Sequence, residues 1–225
     1  MRPWILLDSA PIPGQAGELR LYQRGEEYSI KISGRGELMN SRDHDSEQAL
    51  AAMTCARLQD IPEPRLLIGG LGMGYTLAAA LQHAPAPAHI EVAELLPAVV
   101  RWNRGPLAAC AGAPLQDPRV TVQETDVARL IKGAAQSYDA ILLDVDNGPE
   151  GLTSRANDWL YSAEGLSAAY VALRLRGILA VWSAGSDPAF SQRLYKAGFT
   201  VEEVRVRAHG NKGARYVIWF ARVPG

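Results

Sequence analysis

Cysteine is nearly absent from this chain. Cys55 and Cys110 are the only two, and they stand far apart. That excludes a disulfide framework, and two lone thiols predict a reducing, cytoplasmic setting. Histidine is scarce as well: His44, His83, His89 and His209 include no closely spaced ligand pair, so no metal is expected. Neither sign of charge dominates. A net charge of -1 gives no global steering toward nucleic acid or an anionic membrane, and neither is expected as a partner. No apolar run approaches the ~20 residues of a membrane span. The opening MRPWILLDSAPIPG lacks the apolar region of a secretion signal. There is no internal repeat and no low-complexity segment.

What the chain does have is ordinary globular material: 48% of its 225 residues are hydrophobic, enough for one large core with a small appendage. Residues 1–40 and 41–225 differ in pattern. In the first part, LRLYQ and YSIKI flank the polar RGEE, which predicts a β-hairpin followed by a glycine-rich turn at SGRGE. A helix follows over SRDHDSEQALAAMTCARLQ, capped by Ser41 or Asp43, with Ala49, Leu50, Met53 and Leu58 on its apolar face. From Arg65 onward, strand and helix alternate. WLYSAEGLSAAYVALRL reads as one helix stopped by Gly177, and Asp187 caps DPAFSQRLYKAG. TVEEVRVRA and ARYVIWFARV close the chain as a hairpin around HGNKG. Such alternation with apolar strands predicts an α/β fold: a doubly wound, mostly parallel seven-stranded sheet with its last strand antiparallel.

The glycines of IGGLGMG lie between the first of these strands and its helix. In open α/β sheets ligands bind beyond the carboxyl ends of the strands, where bare backbone lets them approach. Gly70, Gly72 and Gly74 are therefore candidate cofactor-binding positions. The other reading is a tight turn without a ligand. Glu94 ends the second strand, about 20 residues on, where an acid binds the hydroxyls of a ribose; a solvated strand-end acid is the alternative. Asp126 suits an adenine amino group, the N-cap of VARLI, or both, and Val127 suits packing on the ring. A phosphate-binding lysine is missing, and Gly-x-Gly-x-Gly departs from the dinucleotide spacing Gly-x-Gly-x-x-Gly. With the closing hairpin, this resembles the class I S-adenosylmethionine-dependent methyltransferase-like superfamily, which implies an adenosyl sulfonium ligand.

Four segments together, LLIGGLGMGYTLAAAL, IEVAELLPAVVRWNR, DPRVTVQETD and YDAILLDVDNGPEGLT, resemble the spermidine synthase family of polyamine aminopropyltransferases. The resemblance runs from about Ser41 and is clearest from Arg65 to Gly151. It implies a small N-terminal β-domain, here shortened to the hairpin, and a co-substrate that is S-adenosylmethionine or its decarboxylated form. It also implies a small-molecule acceptor, an amine in that family, and a homodimer is compatible with it. The family loop Gly-Gly-Gly-Asp-Gly-Gly is matched by Gly69 and Gly70, but its third glycine becomes Leu71 and its acid Gly72. The family loop Asp-Ser-Ser-Asp-Pro becomes Asp144-Val145-Asp146-Asn147-Gly148. Asp144 matches the amine-activating acid. Asp146 adds a carboxylate, while the second family acid is the neutral Asn147. Asp144 and Asp146 are the candidate catalytic residues; a turn acid bonded to backbone amides is the other reading of Asp144. The adenosyl half of the pattern is kept and the polyamine half is eroded, which predicts weak or absent putrescine turnover. An S-adenosylmethionine-dependent methyltransferase and a catalytically idle nucleoside-binding protein are the alternatives. The long segment NGPEGLTSRANDWLYSAEG matches the family's loop over the site. Trp159 and Tyr161 are placed there as pocket walls or as the start of a helix face. Lys212 and Arg215, beside Arg205 and Arg207, read as solvated charges on a hairpin.

Overall fold

In the computed structural model, residues 2–13, 17–145, 157–209 and 212–225 are described. The N-terminal part is larger than a hairpin. Four strands, β1 (Ile5–Pro11), β2 (Glu18–Arg24), β3 (Glu27–Ile32) and β4 (Gly36–Asn40), form an antiparallel meander in chain order. Alternation exposed β2 and β3 in the sequence because Leu19, Leu21 and Ile30 point into the core. It hid β1, whose Ile5, Leu6 and Leu7 are exposed, and β4, which begins inside the glycine-rich stretch read as a turn. Asp8 ties β1 to the main body, accepting from Trp102 Nε1 at 2.7 Å and Arg101 at 2.8 Å. Those two hydrogen bonds, Trp102's first, hold the Asp8 carboxyl below its usual range.

The helix α1 (Asp45–Ala56) starts later than expected. His44 occupies the N-cap position, without a side-chain cap. The two expected caps are engaged elsewhere: Ser41 Oγ accepts the Tyr28 amide at 2.9 Å, and Asp43 accepts from Asn40 at 3.1 Å.

Beyond α1 come β5 (Arg65–Gly69), α2 (Tyr75–His83), β6 (His89–Ala93), α3 (Pro97–Arg104), β7 (Val120–Gln123), α4 (Val127–Gly133) and β8 (Tyr138–Leu143). The chain ends with α5 (Ala163–Ala172), β9 (Leu173–Ser183), α6 (Pro188–Lys196), β10 (Thr200–His209) and β11 (Lys212–Arg222). The seven strands from β5 onward form one sheet in the order β10-β11-β9-β8-β5-β6-β7. All neighbours are parallel except β11, which runs antiparallel to both β9 and β10.

Every residue of β8 is buried, as a strand covered on both faces requires. Leu66, Ile68, Ala140 and Leu142 face α1, α2, α3 and the small sheet, in one hydrophobic cluster with Leu19, Leu50 and Trp102. Leu67, Ile141, Leu143 and Trp219 face the other way, onto α4, α5 and α6, through Ile131, Leu166 and Phe190.

The expected long helix ending at Gly177 is three pieces. Asn157–Tyr161 is a 3₁₀ turn, Ser162 caps α5 by accepting the Gly165 amide at 3.2 Å, and β9 begins at Leu173. Leu173 pairs with Tyr138 before a bulge that contains Arg176 at φ 63. This pairing with a central strand outweighs the helix propensity of ALRL. Asp187 caps α6 as expected, accepting from Ala189 and Phe190 at 2.8 and 3.0 Å.

Candidate functional site

The strand order reverses at β5. Its chain partner β6 lies on one side and β8 on the other, the place beyond whose carboxyl ends open α/β sheets bind their ligands. The glycine turn leaves β5 at this place. Gly70 has φ 91, and a side chain there would run into the backbone carbonyl of Asp144. Its amide donates to the Ala93 carbonyl at 2.9 Å. Only glycine therefore lets the turn pass between the ends of β6 and β8. Gly72 has φ 53 and is open, the nearest atom to a Cβ being Met39 Sδ of β4 at 3.5 Å. Gly74, at φ 88, begins α2. Two buried polar side chains brace the turn. Glu94 accepts from the Leu71 amide at 2.9 Å and from the Leu96 amide at 2.8 Å. Asn103, on α3, donates to the Gly72 and Val99 carbonyls at 2.8 and 2.9 Å.

The other residues expected at a cofactor lie nearby. Burial raises the Glu94 carboxyl above its usual range, opposed by the backbone amides that it accepts. Asp126 caps α4, its Oδ1 accepting from the Ala128 amide at 2.8 Å. Val127 is buried, and its methyl groups lie 3.0 and 3.2 Å from where a Gly69 Cβ would be. Asp146, like Asn147 and Gly148, lies outside the described residues. Trp159 carries Lys132 Nζ over its ring at 4.0 Å, and the Tyr161 hydroxyl donates to the Val145 carbonyl at 3.2 Å. Tyr161 is buried against Phe190, so it braces the end of β8 from the core side.

Asp144 leaves β8 with its amide donating to the Gly69 carbonyl at 3.0 Å. Its Oδ2 accepts a short hydrogen bond from the Thr76 hydroxyl in the first turn of α2. Burial raises the Asp144 carboxyl to about 6, and the Thr76 bond opposes the rise. Facing it from α1 is Glu47, whose carboxyl is pushed well above its usual range by burial and then by the Asp144 charge. Glu47 Oε2 is buried and has no hydrogen-bond partner among the described residues; the same holds for His44 Nδ1 and Trp182 Nε1. His44 stacks on Tyr75 at 4.2 Å, and Trp182, at the end of β9, packs on Tyr216 at 5.0 Å. Burial, then Asp43 and Glu47, raise the Tyr216 hydroxyl. The sequence reading missed Glu47, Thr76, Asn103, Trp182 and Tyr216. One signal was available: His44 and Glu47 are three apart at the start of a helix, hence on one face.

Among the described residues no group of three or more His, Cys, Asp or Glu side chains is placed to hold a metal ion, and no helix is long and apolar enough to cross a membrane. No protein-family model matches the chain. Polyamine aminopropyltransferase 1 of Streptomyces coelicolor is 29% identical over 164 residues, which is 68% of this chain. The chain spans 30% of that relative's length. Spermidine synthase of Thermotoga maritima superposes with a TM-score of 0.74 at 18% identity, covering 96% of this chain and 72% of that one. A spermidine synthase in complex with the transition-state analogue AdoDATO gives 0.73 at 18% identity, with the same 96% and 72% coverage. A probable spermidine synthase from Corynebacterium glutamicum gives 0.66 at 16%, covering 96% of this chain and 79% of that one. The chain thus shares the fold of these spermidine synthases over nearly its full length, and is similar in sequence to the Streptomyces aminopropyltransferase over 164 residues.

Proposed function

We propose that the chain is an aminopropyltransferase-like enzyme that binds an adenosyl sulfonium co-substrate against the glycine turn and transfers its aminopropyl group to an amine. The observation that carries this is Asp144. It is an acid at the switch point of the sheet, beside Gly70, with a carboxyl raised to about 6 and held by Thr76. A group titrating there is suited to take a proton from an ammonium that its own charge has drawn in. The names of the relatives above point to the same chemistry. In the reaction, the neutral amine nitrogen attacks the carbon next to the sulfonium. The C–N bond forms as the C–S bond breaks, and the electron pair stays on sulfur, giving neutral methylthioadenosine. The positive charge passes to the product amine, which then sheds a proton. The chain's task is alignment of the two partners and removal of the amine's first proton.

For the donor, Glu94 is proposed to accept ribose hydroxyls from its place at the end of β6, where the backbone amides of Leu71, Leu96, Gly72 and Leu95 also converge on its carboxyl. Asp126 Oδ2 is left for an adenine amino group once Oδ1 caps α4, and Val127 backs the same end of the turn. Asp146 is proposed with Asp144 as a catalytic acid from the sequence alone. A second reading is methyl transfer from intact S-adenosylmethionine. The open space at Gly72 favours it, because no carboxylate stands there to repel the ligand's own. Product analysis separates the two: methylthioadenosine marks aminopropyl transfer, and S-adenosylhomocysteine marks methyl transfer.

A further inference from the structure

We infer that Glu47 is the second carboxylate of the acceptor crevice and binds a positively charged end of the amine substrate. The inference rests on the aminopropyl-transfer reading and adds a residue to it. Glu47 lies in the first turn of α1, beside the start of α2. Its carbonyl oxygen is 3.5 Å from the same Thr76 hydroxyl that bonds Asp144, so one side chain of α2 touches both acid-bearing segments.

A buried carboxylate oxygen with no partner is costly, and proteins normally pair such groups. Here none of the ion pairs among the described residues involves Glu47. Arg57, the residue after α1, pairs with Glu202 at 2.7 Å and lies over the Phe220 ring. The surroundings are suited to an ammonium ion. Tyr75 and Tyr216 are both close enough for the Glu47 charge to act on their hydroxyls, and aromatic faces attract cations. Two acids from different elements, Asp144 after β8 and Glu47 on α1, both beside Thr76, match a molecule with one amine to react and another to anchor. The acid absent at Gly72 and the neutral Asn147 are thus offset by a carboxylate from a different element.

The test is calorimetric titration of putrescine and of 1-aminobutane into the full chain, with and without methylthioadenosine. Wild type, Glu47→Gln, Glu47→Leu and Asp144→Asn are compared, each with a thermal melt. Wild type is expected to prefer the diamine. Glu47→Gln is expected to weaken putrescine binding about 10- to 100-fold, the range for loss of one buried charged hydrogen bond. Its affinity for methylthioadenosine should stay within about twofold of wild type, and its melting temperature should be unchanged or higher, because an unpartnered buried charge has gone. Glu47→Leu should melt higher still and bind no diamine. Wild-type putrescine affinity in Glu47→Gln, no diamine preference in wild type, or a lower melting temperature in both variants would each overturn the inference. Failure of methylthioadenosine to bind wild type would instead count against the donor site, while the amine titrations alone still decide Glu47.

Discussion

Glu94 and Leu71 are joined by a hydrogen bond of 2.9 Å from the Leu71 amide to Glu94 Oε2, while Oε1 takes the Leu96 amide at 2.8 Å. The acid at the end of β6 is therefore a fastener of the glycine turn before it is a ligand contact. Glu94→Gln keeps one acceptor and places an amide NH₂ against the other backbone donor. The expected cost is about 1.5–3 kcal/mol, several degrees of melting temperature, with the fold retained. Affinity for methylthioadenosine is expected to fall about tenfold or more as well. Melting and calorimetry on the same variant check both. Unchanged affinity would remove Glu94 from the donor site and leave it the structural role alone.

Gly70 and Gly72 differ in what surrounds them, and their alanine variants should differ accordingly. Gly70→Ala places a methyl group against the Asp144 carbonyl at φ 91, so the end of β8 must move. Gly72→Ala meets nothing nearer than Met39 Sδ at 3.5 Å, and φ 53 is a left-handed conformation costing about 1–2 kcal/mol. Gly70→Ala is expected to abolish methylthioadenosine binding, and Gly72→Ala to keep most of it. Equal losses would contradict the assignment of the crevice to the Gly70–Asp144 side.

The paired acids set a pH dependence of stability. Asp144 and Glu47 both titrate above their unfolded values, so between those values and the folded ones the native state holds more protons than the unfolded state. The Asp144 contribution is present in full below about pH 4 and is lost as pH rises through about 6, and Glu47 acts in the same direction. Acids of the opposite kind, such as Asp117, lowered to about 2 by Arg119, titrate at lower pH. Denaturant midpoints should therefore fall from about pH 5 to about pH 7.5 in wild type, and fall less in Asp144→Asn. Parallel curves would show that Asp144 ionises as it would in water.

How much the sequence revealed follows from which signals are local. The seven-stranded sheet was legible because each strand between Arg65 and Leu143 is a short segment rich in apolar and β-branched residues with a helix after it, and because Gly70 stands where only glycine passes. Asp187 and Asp126 were legible as caps because capping needs only the next two or three residues. Ser41 and Asp43 misled because both are drawn into the meander of β3 and β4, a pairing that no local pattern shows. The start of β9 at Leu173 depends on its partner Tyr138, 35 residues earlier in the chain by number, and helix propensity points the other way. Glu47 was overlooked for the same reason. Beside apolar neighbours it reads as the solvated side of a helix, and only the packing of α1 over the end of β8 turns it toward Asp144. With it, the crevice holds two acids from the described residues, and diamine binding becomes the expectation in place of its weakness.

The central claim is that this crevice joins an aminopropyl donor to an amine. The direct measurement is chromatography of the nucleoside product after incubation with decarboxylated S-adenosylmethionine and, in parallel, S-adenosylmethionine, each with putrescine, spermidine or agmatine. The account predicts amine-dependent release of methylthioadenosine from the decarboxylated donor, reduced at least about 100-fold in Asp144→Asn, the usual scale for loss of a general base. Formation of S-adenosylhomocysteine with the intact donor, or no methylthioadenosine with any of the amines, would contradict it.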